Sequence, residues 1–449
     1  MSDLPYAADE VSSVPSPENK PSNRDEIFAW AMYDWASSAF STLQITIVVY
    51  YITAVVFPRE GTIFTGTNIY GYGIGISMFM AALAAPIIGA LADARANKRT
   101  WLTFTTILGS GCGTLMAFVP TQADWLIGLL FFLTCLGFEL SWGIYNGFLP
   151  EIADERSINR VSALGFGMGY VGGGLALLLA ILVLKFGQSF GLPDPAVDVA
   201  PHLRVGIAIM GIWWAVFSIP SLIVLRDKGT VRGKPLALIP QTSAAFRQVF
   251  QTLSSVRRYA PLALFLLGFL FYNDGMQTVI TQASVFAERE LKMEASELSM
   301  MILMVQFVSL PGALLVGKLS DWIGAKITLH INLAVWVALL IAAFFITTKS
   351  QFWMMAAILA LVMGGAQSVS RAMMAMMTPA SRAAEFMGFF NLSGRAVSTL
   401  GPMLFATILH ITGSSHYAIL SLLIFFVIGW LLICFVNLEQ GKKQAAENG

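Results

Sequence analysis

Residues 89–93 read Gly-Ala-Leu-Ala-Asp and residues 317–321 read Gly-Lys-Leu-Ser-Asp, so a Gly-x-x-x-Asp pattern occurs twice, 228 residues apart. Each copy ends a long apolar run and is followed by basic residues. The same offset places Glu139 opposite Gln367 and brings Pro150 within one residue of Pro379. Glycine permits close contact between helices, and an aspartate at a helix end can interact with the N-terminus of a neighbouring helix. The repeat predicts a chain built from two related halves.

The composition of the chain argues against a soluble protein. Hydrophobic residues make up 56% of the 449 residues and charged residues only 12%, about half the usual share. A chain with so few charged residues cannot cover a water-facing surface with polar groups, so it needs lipid as its solvent. A formal net charge of +1 gives no reason to expect nucleic acid as a partner. Cys112, Cys135 and Cys434 lie in apolar runs without metal-ligand spacing. We therefore expect no disulfide framework, no metal site and no cofactor.

Apolar runs long enough to cross a bilayer occur twelve times. A spanning helix needs about 20 such residues. The candidate segments are residues 28–57, 70–92, 100–120, 125–149, 161–185, 204–225, 261–287, 297–317, 327–347, 352–376, 385–411 and 416–436. We predict an all-α polytopic membrane protein with twelve transmembrane helices.

The distribution of basic residues predicts the topology. With the N-terminus inside, Lys and Arg favour the cytoplasmic segments by about three to one, which places both termini in the cytoplasm. No signal peptide precedes the first apolar run, and polar residues 1–26 are predicted to be a disordered cytoplasmic tail. The basic stretch 226–260 is predicted to link two six-helix bundles, residues 27–225 and 261–436, with a cytoplasmic tail at 437–449.

The repeated motif resembles the signature of the major facilitator superfamily. That signature lies in the loop after the second helix of each half, and the second copy here matches it well. The first copy departs from it, with Ala94 where a basic residue is usual and Ala96 where a glycine is usual. The resemblance implies two pseudo-symmetric six-helix bundles around a central site at the middle of the membrane. The gating residues that it implies are Gly89, Asp93, Arg95, Gly317, Asp321 and Lys326.

Several other segments resemble a narrower group, the Unknown Major Facilitator family. They are Tyr-Asp-Trp-Ala-Ser-Ser-Ala-Phe at 33–40, Tyr-Asn-Gly-Phe-Leu-Pro-Glu-Ile at 145–152, the glycine-rich run 165–174 and the segment 385–402. This family includes the autophagy-related vacuolar amino-acid effluxers of fungi. The resemblance implies amino-acid or peptide efflux. Because this chain is more compact than the fungal members, we expect a bacterial protein of the inner membrane.

Charged residues inside the apolar runs are candidates for solute or proton handling, because charge within a bilayer is costly. Asp34, Glu139, Asp274 and Arg395 are the candidates, and a fixed ion pair of Glu139 or Asp274 with Arg395 is the structural alternative. Arg371 lies about one turn from a predicted helix end, and snorkelling to the interface accounts for it. Polar neighbours indicate a hydrated cavity. They are Tyr33, Asn146, Asn273, Gln277, Gln367 and Asn391.

These observations predict a secondary transporter that moves a small polar solute by alternating access. One cation and several acids suit an amino acid or similar zwitterion, with proton coupling through a buried carboxylate. A multidrug, sugar-derivative or peptide carrier is the alternative. The run Gly-Met-Gly-Tyr-Val-Gly at 167–172 fits a dinucleotide fingerprint but lies inside an apolar helix, which favours helix packing. A transport-inactive receptor and an intramembrane enzyme are less consistent with the sequence. We expect a monomer in the lipid bilayer.

Overall fold

The computed structural model describes residues 24–57, 65–228, 259–395 and 400–447. Within these ranges the regular structure is helical. The helices are α1 (Arg24–Leu43), α2 (Gly66–Arg95), α3 (Lys98–Met116), α4 (Asp124–Asn146), α5 (Leu149–Ile152), α6 (Ile158–Phe186), α7 (Ala200–Val224), α8 (Ala260–Leu291), α9 (Ala295–Ile323), α10 (Ala325–Ala343), α11 (Lys349–Met376), α12 (Ala383–Arg395), α13 (Leu400–Thr412), α14 (Ser415–Ser421), α15 (Leu423–Cys434) and α16 (Leu438–Glu447).

Each of the twelve predicted segments overlaps at least one of these helices, and the predicted all-helical fold is confirmed. In the described ranges, ten helices are long and apolar enough to cross a membrane. The third segment forms α3, whose five threonines and one serine lower its hydropathy. The eleventh segment contains two shorter helices, α12 and α13. Two π-helical stretches, Gln44–Val48 and Tyr51–Val56, continue α1, so the first segment is helical for most of its length.

The predicted tails and linker are described only in part. Residues 1–23 and 229–258 lie outside the described residues, but α1 begins at Arg24, so the last three residues of the predicted N-terminal tail are helical. The predicted C-terminal tail contains α16, whose Gly441 packs against Met377 at the end of α11. The amphipathic sequence of α16 lets it lie against the end of the helix bundle.

Ion pairs bring the start of α1, the helix α16 and several loops to one end of the bundle. Lys228, which follows α7, pairs with Glu26 in the first turn of α1 at 2.6 Å. Lys98, at the start of α3, pairs with Glu151 in α5. Lys442 of α16 lies 3.6 Å from Glu155 in the loop before α6. We call this end, which carries most of the basic residues, the basic end.

The two most extensive contacts between the first half (α1–α7) and the second half (α8–α15) are two helix pairs that the sequence repeat relates to each other. One pair is α2 with α12, and the other is α6 with α9. At the first contact, a Cβ on Gly89 would lie 2.4 Å from the carbonyl oxygen of Ala384. At the second, a Cβ on Gly317 would lie 2.5 Å from the Cβ of Ala163. The repeated glycines therefore occupy the same role in both halves, namely close contact with the other half.

The two halves are joined most tightly at the basic end. There, Trp30, Tyr145 and Phe148 of the first half belong to the same buried cluster as the core of the second half. Toward the opposite end, the core of the first half forms a separate cluster around Phe40 and Trp214. The halves thus share one core at the basic end and have distinct cores toward the other end.

Candidate functional site

A cavity of about 110 Å³ lies between the two halves. Helices α4 and α6 line it from the first half, and helices α8, α11 and α12 line it from the second half. The lining residues are Trp142, Phe166, Phe269, Asn273, Gln277, Gln367, Phe390, Asn391 and Gly394. This is the central position that the repeat predicts for a transport site.

The described side chains that line this cavity are aromatic rings and carboxamides. Phe269 and Phe390 stack with their ring centroids 4.3 Å apart. Each carboxamide can donate and accept hydrogen bonds, so the lining can bind groups of either kind. Apolar walls with a few placed polar groups are typical of sites for small molecules.

Hydrogen bonds orient three of the four carboxamides. Asn273 Nδ2 donates to the carbonyl oxygen of Gly394 at 3.0 Å, and Asn391 Nδ2 donates to the carbonyl oxygen of Glu139 at 3.0 Å. Gln367 Oε1 accepts a hydrogen bond from the Tyr170 hydroxyl at 2.9 Å. Because each amide uses only part of its capacity in these bonds, polar atoms remain for a solute.

Between the cavity and the basic end, Arg371 of α11 pairs with Asp34 of α1 at 2.9 Å. The same guanidinium donates to Asn146 Oδ1 at 3.2 Å, to Ser162 Oγ at 3.0 Å and to the carbonyl oxygen of Ser162 at 2.7 Å. The side chain is completely buried. The prediction that Arg371 snorkels is therefore wrong, because its position near a helix end coincides with a buried contact between the halves.

Aromatic rings enclose this ion pair. The guanidinium carbon of Arg371 lies 4.7 Å from the ring centroid of Trp30 and 4.1 Å from that of Phe166, distances typical of cation–π contacts. Tyr33 lies in the same layer, stacks on Tyr145 and shares a 2.8 Å hydrogen bond with Thr106. Tyr33, Asp34 and Asn146, which were predicted as site residues, thus lie beside the cavity rather than in its described lining.

The other predicted charges have separate positions. Glu139 is buried in α4, one turn from Trp142 of the cavity wall. Asp274 Oδ2 accepts a hydrogen bond at 2.9 Å from the backbone N–H of Gly401, near the start of α13. A carboxylate is favoured at that position by the helix dipole. Arg395 ends α12, and its side chain lies outside the described part of the structure. Its predicted role in solute binding stays a prediction.

The first copy of the motif connects the halves electrostatically. Asp93 Oδ2 accepts a hydrogen bond at 3.0 Å from the backbone N–H of Glu385, in the first turn of α12. Asp93 also lies 3.5 Å from Lys98 Nζ, and the same ammonium group pairs with Glu151. Arg95 follows in the last turn of α2. The capping role expected for the aspartate is therefore present in the structure, between α2 and α12.

The second copy has a looser arrangement. Asp321 lies near Arg160 and Asn159 at the start of α6, so the acidic end of α9 again faces the start of a helix in the other half. Lys326 donates to the carbonyl oxygens of Cys434 and Val436 at 2.9 and 2.8 Å, which closes the end of α15 within its own half. In the loop before α6, a hydrogen bond from the hydroxyl of Ser157 holds the pKa of the Asp154 carboxyl below its usual value.

Four predicted residues line the cavity together: Asn273, Gln277, Gln367 and Asn391. Sequence reasoning missed the aromatic lining residues, because aromatic side chains in apolar helices are expected to pack in the core or face lipid. The four missed are Trp142, Phe166, Phe269 and Phe390. Their spacing from predicted site residues could have identified two of them, since Trp142 lies three positions from Glu139 and Phe390 adjoins Asn391. Among the residues that the structure describes, no group of three His, Cys, Asp or Glu could hold a metal ion.

Comparison with known sequences identifies relatives along most of the chain. The sequence model of the family described as "Vacuole effluxer Atg22 like" matches residues 55–446. The protein described as "Uncharacterized MFS-type transporter YxiO" of Bacillus subtilis is 32% identical over 415 residues, which cover 92% of this chain and 94% of that protein. Autophagy-related protein 22 of Yarrowia lipolytica is 27% identical over 320 residues, covering 64% of this chain and 51% of the fungal protein. The match thus spans about half the length of that fungal relative.

Solved structures share the fold at low sequence identity. The proton:xylose symporter XylE superposes with a TM-score of 0.66 at 12% identity, covering 92% of this chain and 94% of that one. The transporter FucP in its outward conformation superposes with a TM-score of 0.65 at 13% identity, covering 92% and 98%. These likenesses confirm the major facilitator fold. Together with the family match and the relative at 32% identity, they show that the chain is a multi-pass membrane protein that belongs to the Atg22-like family of the major facilitator superfamily.

Proposed function

We propose that this protein is a secondary transporter that moves a small polar solute by alternating access. The observation that carries the proposal is a cavity between two related halves, next to a buried core that both halves share at the basic end. A rocking motion of one half against the other would close the opposite end and open the basic end around the same cavity. Membership of a family whose description names an effluxer, and of a superfamily of transporters, supports this function.

The excess of basic residues at the basic end supports a cytoplasmic location for it. In that orientation, the state described here would be outward-facing, and both termini would lie in the cytoplasm. A bacterial inner membrane is consistent with the full-length similarity to the Bacillus protein. We retain a monomer as the working unit, since the cavity is formed by one chain.

An amino acid or similar zwitterion is the first candidate solute. The family description as a vacuole effluxer and the carboxamides of the cavity support it, because amides can donate to a carboxylate and accept from an ammonium group. A neutral hydroxylated solute, such as a sugar derivative, is the second candidate. The described lining favours it, since aromatic faces and carboxamides carry no net charge. A multidrug or peptide carrier is the remaining alternative.

Proton coupling is assigned to Asp274. Its Oδ2 holds the N–H of Gly401, while its Oδ1 has no hydrogen-bond partner among the described residues. A proton on Oδ1 would therefore leave the bond to α13 in place. Asp34 is paired with Arg371 in this state.

A counterflow assay tests the function. Purified protein in proteoliposomes would be preloaded in turn with single amino acids and neutral sugars, and uptake of the labelled solute would be followed with and without an imposed proton gradient. We expect transient accumulation of at least one solute over protein-free vesicles. Uptake equal to that of empty vesicles for every solute would refute transport of these classes, and rates that do not depend on the gradient would remove the proton coupling.

A further inference from the structure

We propose that Arg371 is the positioning residue that holds the two halves closed at the basic end, and that it must leave Asp34 each time this end opens. We call Asp34 and Arg371 the inter-half ion pair. This inference rests on the proposed alternating access and goes beyond it by assigning the closure to one buried ion pair.

The polar partners of Arg371 lie in the other half of the molecule. Its guanidinium comes from α11 of the second half, whereas Asp34, Asn146 and Ser162 come from α1, α4 and α6 of the first half. Ser162 strengthens the connection because its hydroxyl also donates to the carbonyl oxygen of Ser368 on α11 at 2.7 Å. Separation of the halves at this end would break these bonds together.

A glycine in α6 makes room for this arrangement. A Cβ on Gly165 would lie 2.5 Å from Asp34 Oδ2 and 2.7 Å from Arg371 Nη2. Both charged groups thus pass directly over the backbone of α6, without space for a side chain or for water. In a contact this close and dry, a charge that loses its partner has no water to replace it.

Burial makes the pair dependent on closure. Removing one partner of a buried ion pair leaves an uncompensated charge, which is strongly unfavourable, whereas removing both charges can be nearly neutral. When the basic end opens, water can solvate Asp34 and Arg371 separately. Loss of a single partner therefore favours the open basic end, because only there can the remaining charge be hydrated.

Phe166 connects the inter-half ion pair with the solute cavity. One part of its ring lines the cavity, and the guanidinium carbon of Arg371 lies 4.1 Å from its centroid. Gln367, another lining residue, precedes Arg371 by one helical turn on α11. A solute that contacts Phe166 thus touches a ring that packs directly on the guanidinium.

Spin-label distances across the basic end test the assignment. Labels at the exposed positions Arg156 and Gln440 report the separation of the halves in lipid nanodiscs, in a background without native cysteines. We expect Arg371→Gln and Asp34→Asn each to raise the ratio of the long to the short distance by at least about tenfold. The double variant should raise it less than either single variant, because no buried charge remains. Arg226→Gln, an exposed arginine at the same end, is the matched control and should leave the ratio unchanged.

Phe166→Leu keeps the proposal testable if the charge variants do not fold. It retains both charges and most of the apolar volume but removes one aromatic face from Arg371, and we expect a rise of roughly two- to fivefold in the ratio. If Arg371→Gln, Asp34→Asn and Phe166→Leu all leave the ratio of long to short distances unchanged, the role of Arg371 is overturned. Additive effects of the two charge substitutions in the double variant would overturn it as well. A wild-type protein that shows one distance in all conditions would instead refute alternating access itself, so the two failures can be distinguished.

Discussion

Substitution of Gly89 by alanine should prevent the basic end from closing. The new Cβ would lie 2.4, 2.5 and 2.6 Å from the oxygen and carbon of Ala384 and the nitrogen of Glu385, where ordinary contacts begin at 3.4 Å. Because all three are backbone atoms, no side-chain rotation can relieve the overlap, and α2 and α12 must move apart by nearly 1 Å. Overpacking of this kind costs about 1–3 kcal/mol. At about 1.4 kcal/mol per factor of ten, the ratio of open to closed basic end should rise roughly 5- to 150-fold.

Alkylation of a buried cysteine measures this change. Val161, which is 4% exposed in the core shared by the halves at the basic end, would be replaced by cysteine in a background without native cysteines. The rate at which this cysteine reacts with a maleimide should rise roughly 5- to 150-fold in the Gly89→Ala variant. The same substitution at Gly71 or Gly75 of α2, where a Cβ meets nothing within 4 Å, is the control. Equal rates in all three variants would refute the proposed role of the α2–α12 contact.

Three other contacts each give a prediction of their own. Asp274→Asn should keep thermal stability but lose any stimulation of transport by a proton gradient. Asp274→Leu should lower the melting temperature, because a buried N–H of Gly401 left without an acceptor costs about 1–3 kcal/mol. Equal stability of the two variants would contradict the capping role. Lys98→Met should lower the melting temperature because it leaves Asp93 and Glu151 buried without their cation. Lys443→Met, at an exposed site, is the control and should not lower it, and equal melting temperatures of the two variants would contradict a stabilising role of Lys98. Gln277→Ala should raise the KM for the transported solute roughly two- to tenfold with kcat unchanged, since it removes one hydrogen-bonding group from the cavity; a lower kcat at constant KM would show that Gln277 acts elsewhere.

The close helix contacts between the halves could be predicted because short sequence motifs indicate them. Glycine at positions 89 and 317 and aspartate at position 93 indicate close helix contact and capping, and the structure has both at the α2–α12 contact. Hydropathy located the helical segments for the same reason, since a spanning helix is defined by its own residues.

The partners of the buried charges could not be predicted, because they depend on distant parts of the chain. Arg371 pairs with a residue 337 positions away, and its distance from a helix end indicated snorkelling instead. Asp274 was predicted to handle a solute or proton or to pair with Arg395, and the sequence did not indicate that the backbone N–H of Gly401 in another helix donates to it. The aromatic wall of the cavity was missed for a related reason, since burial against lipid, protein or solute requires the same apolar side chains.

Distances measured at both ends of the molecule test alternating access most directly. One pair of labels at Arg156 and Gln440 reports on the basic end, and a second pair at the exposed positions Gln122 and Ser350 reports on the opposite end. Both would be measured in nanodiscs, with and without a mixture of neutral amino acids and in the Gly89→Ala variant. We expect the two distances to change in opposite directions, with the basic end wider and the opposite end narrower in the variant. Distances that stay constant, or that increase together at both ends, would contradict the account.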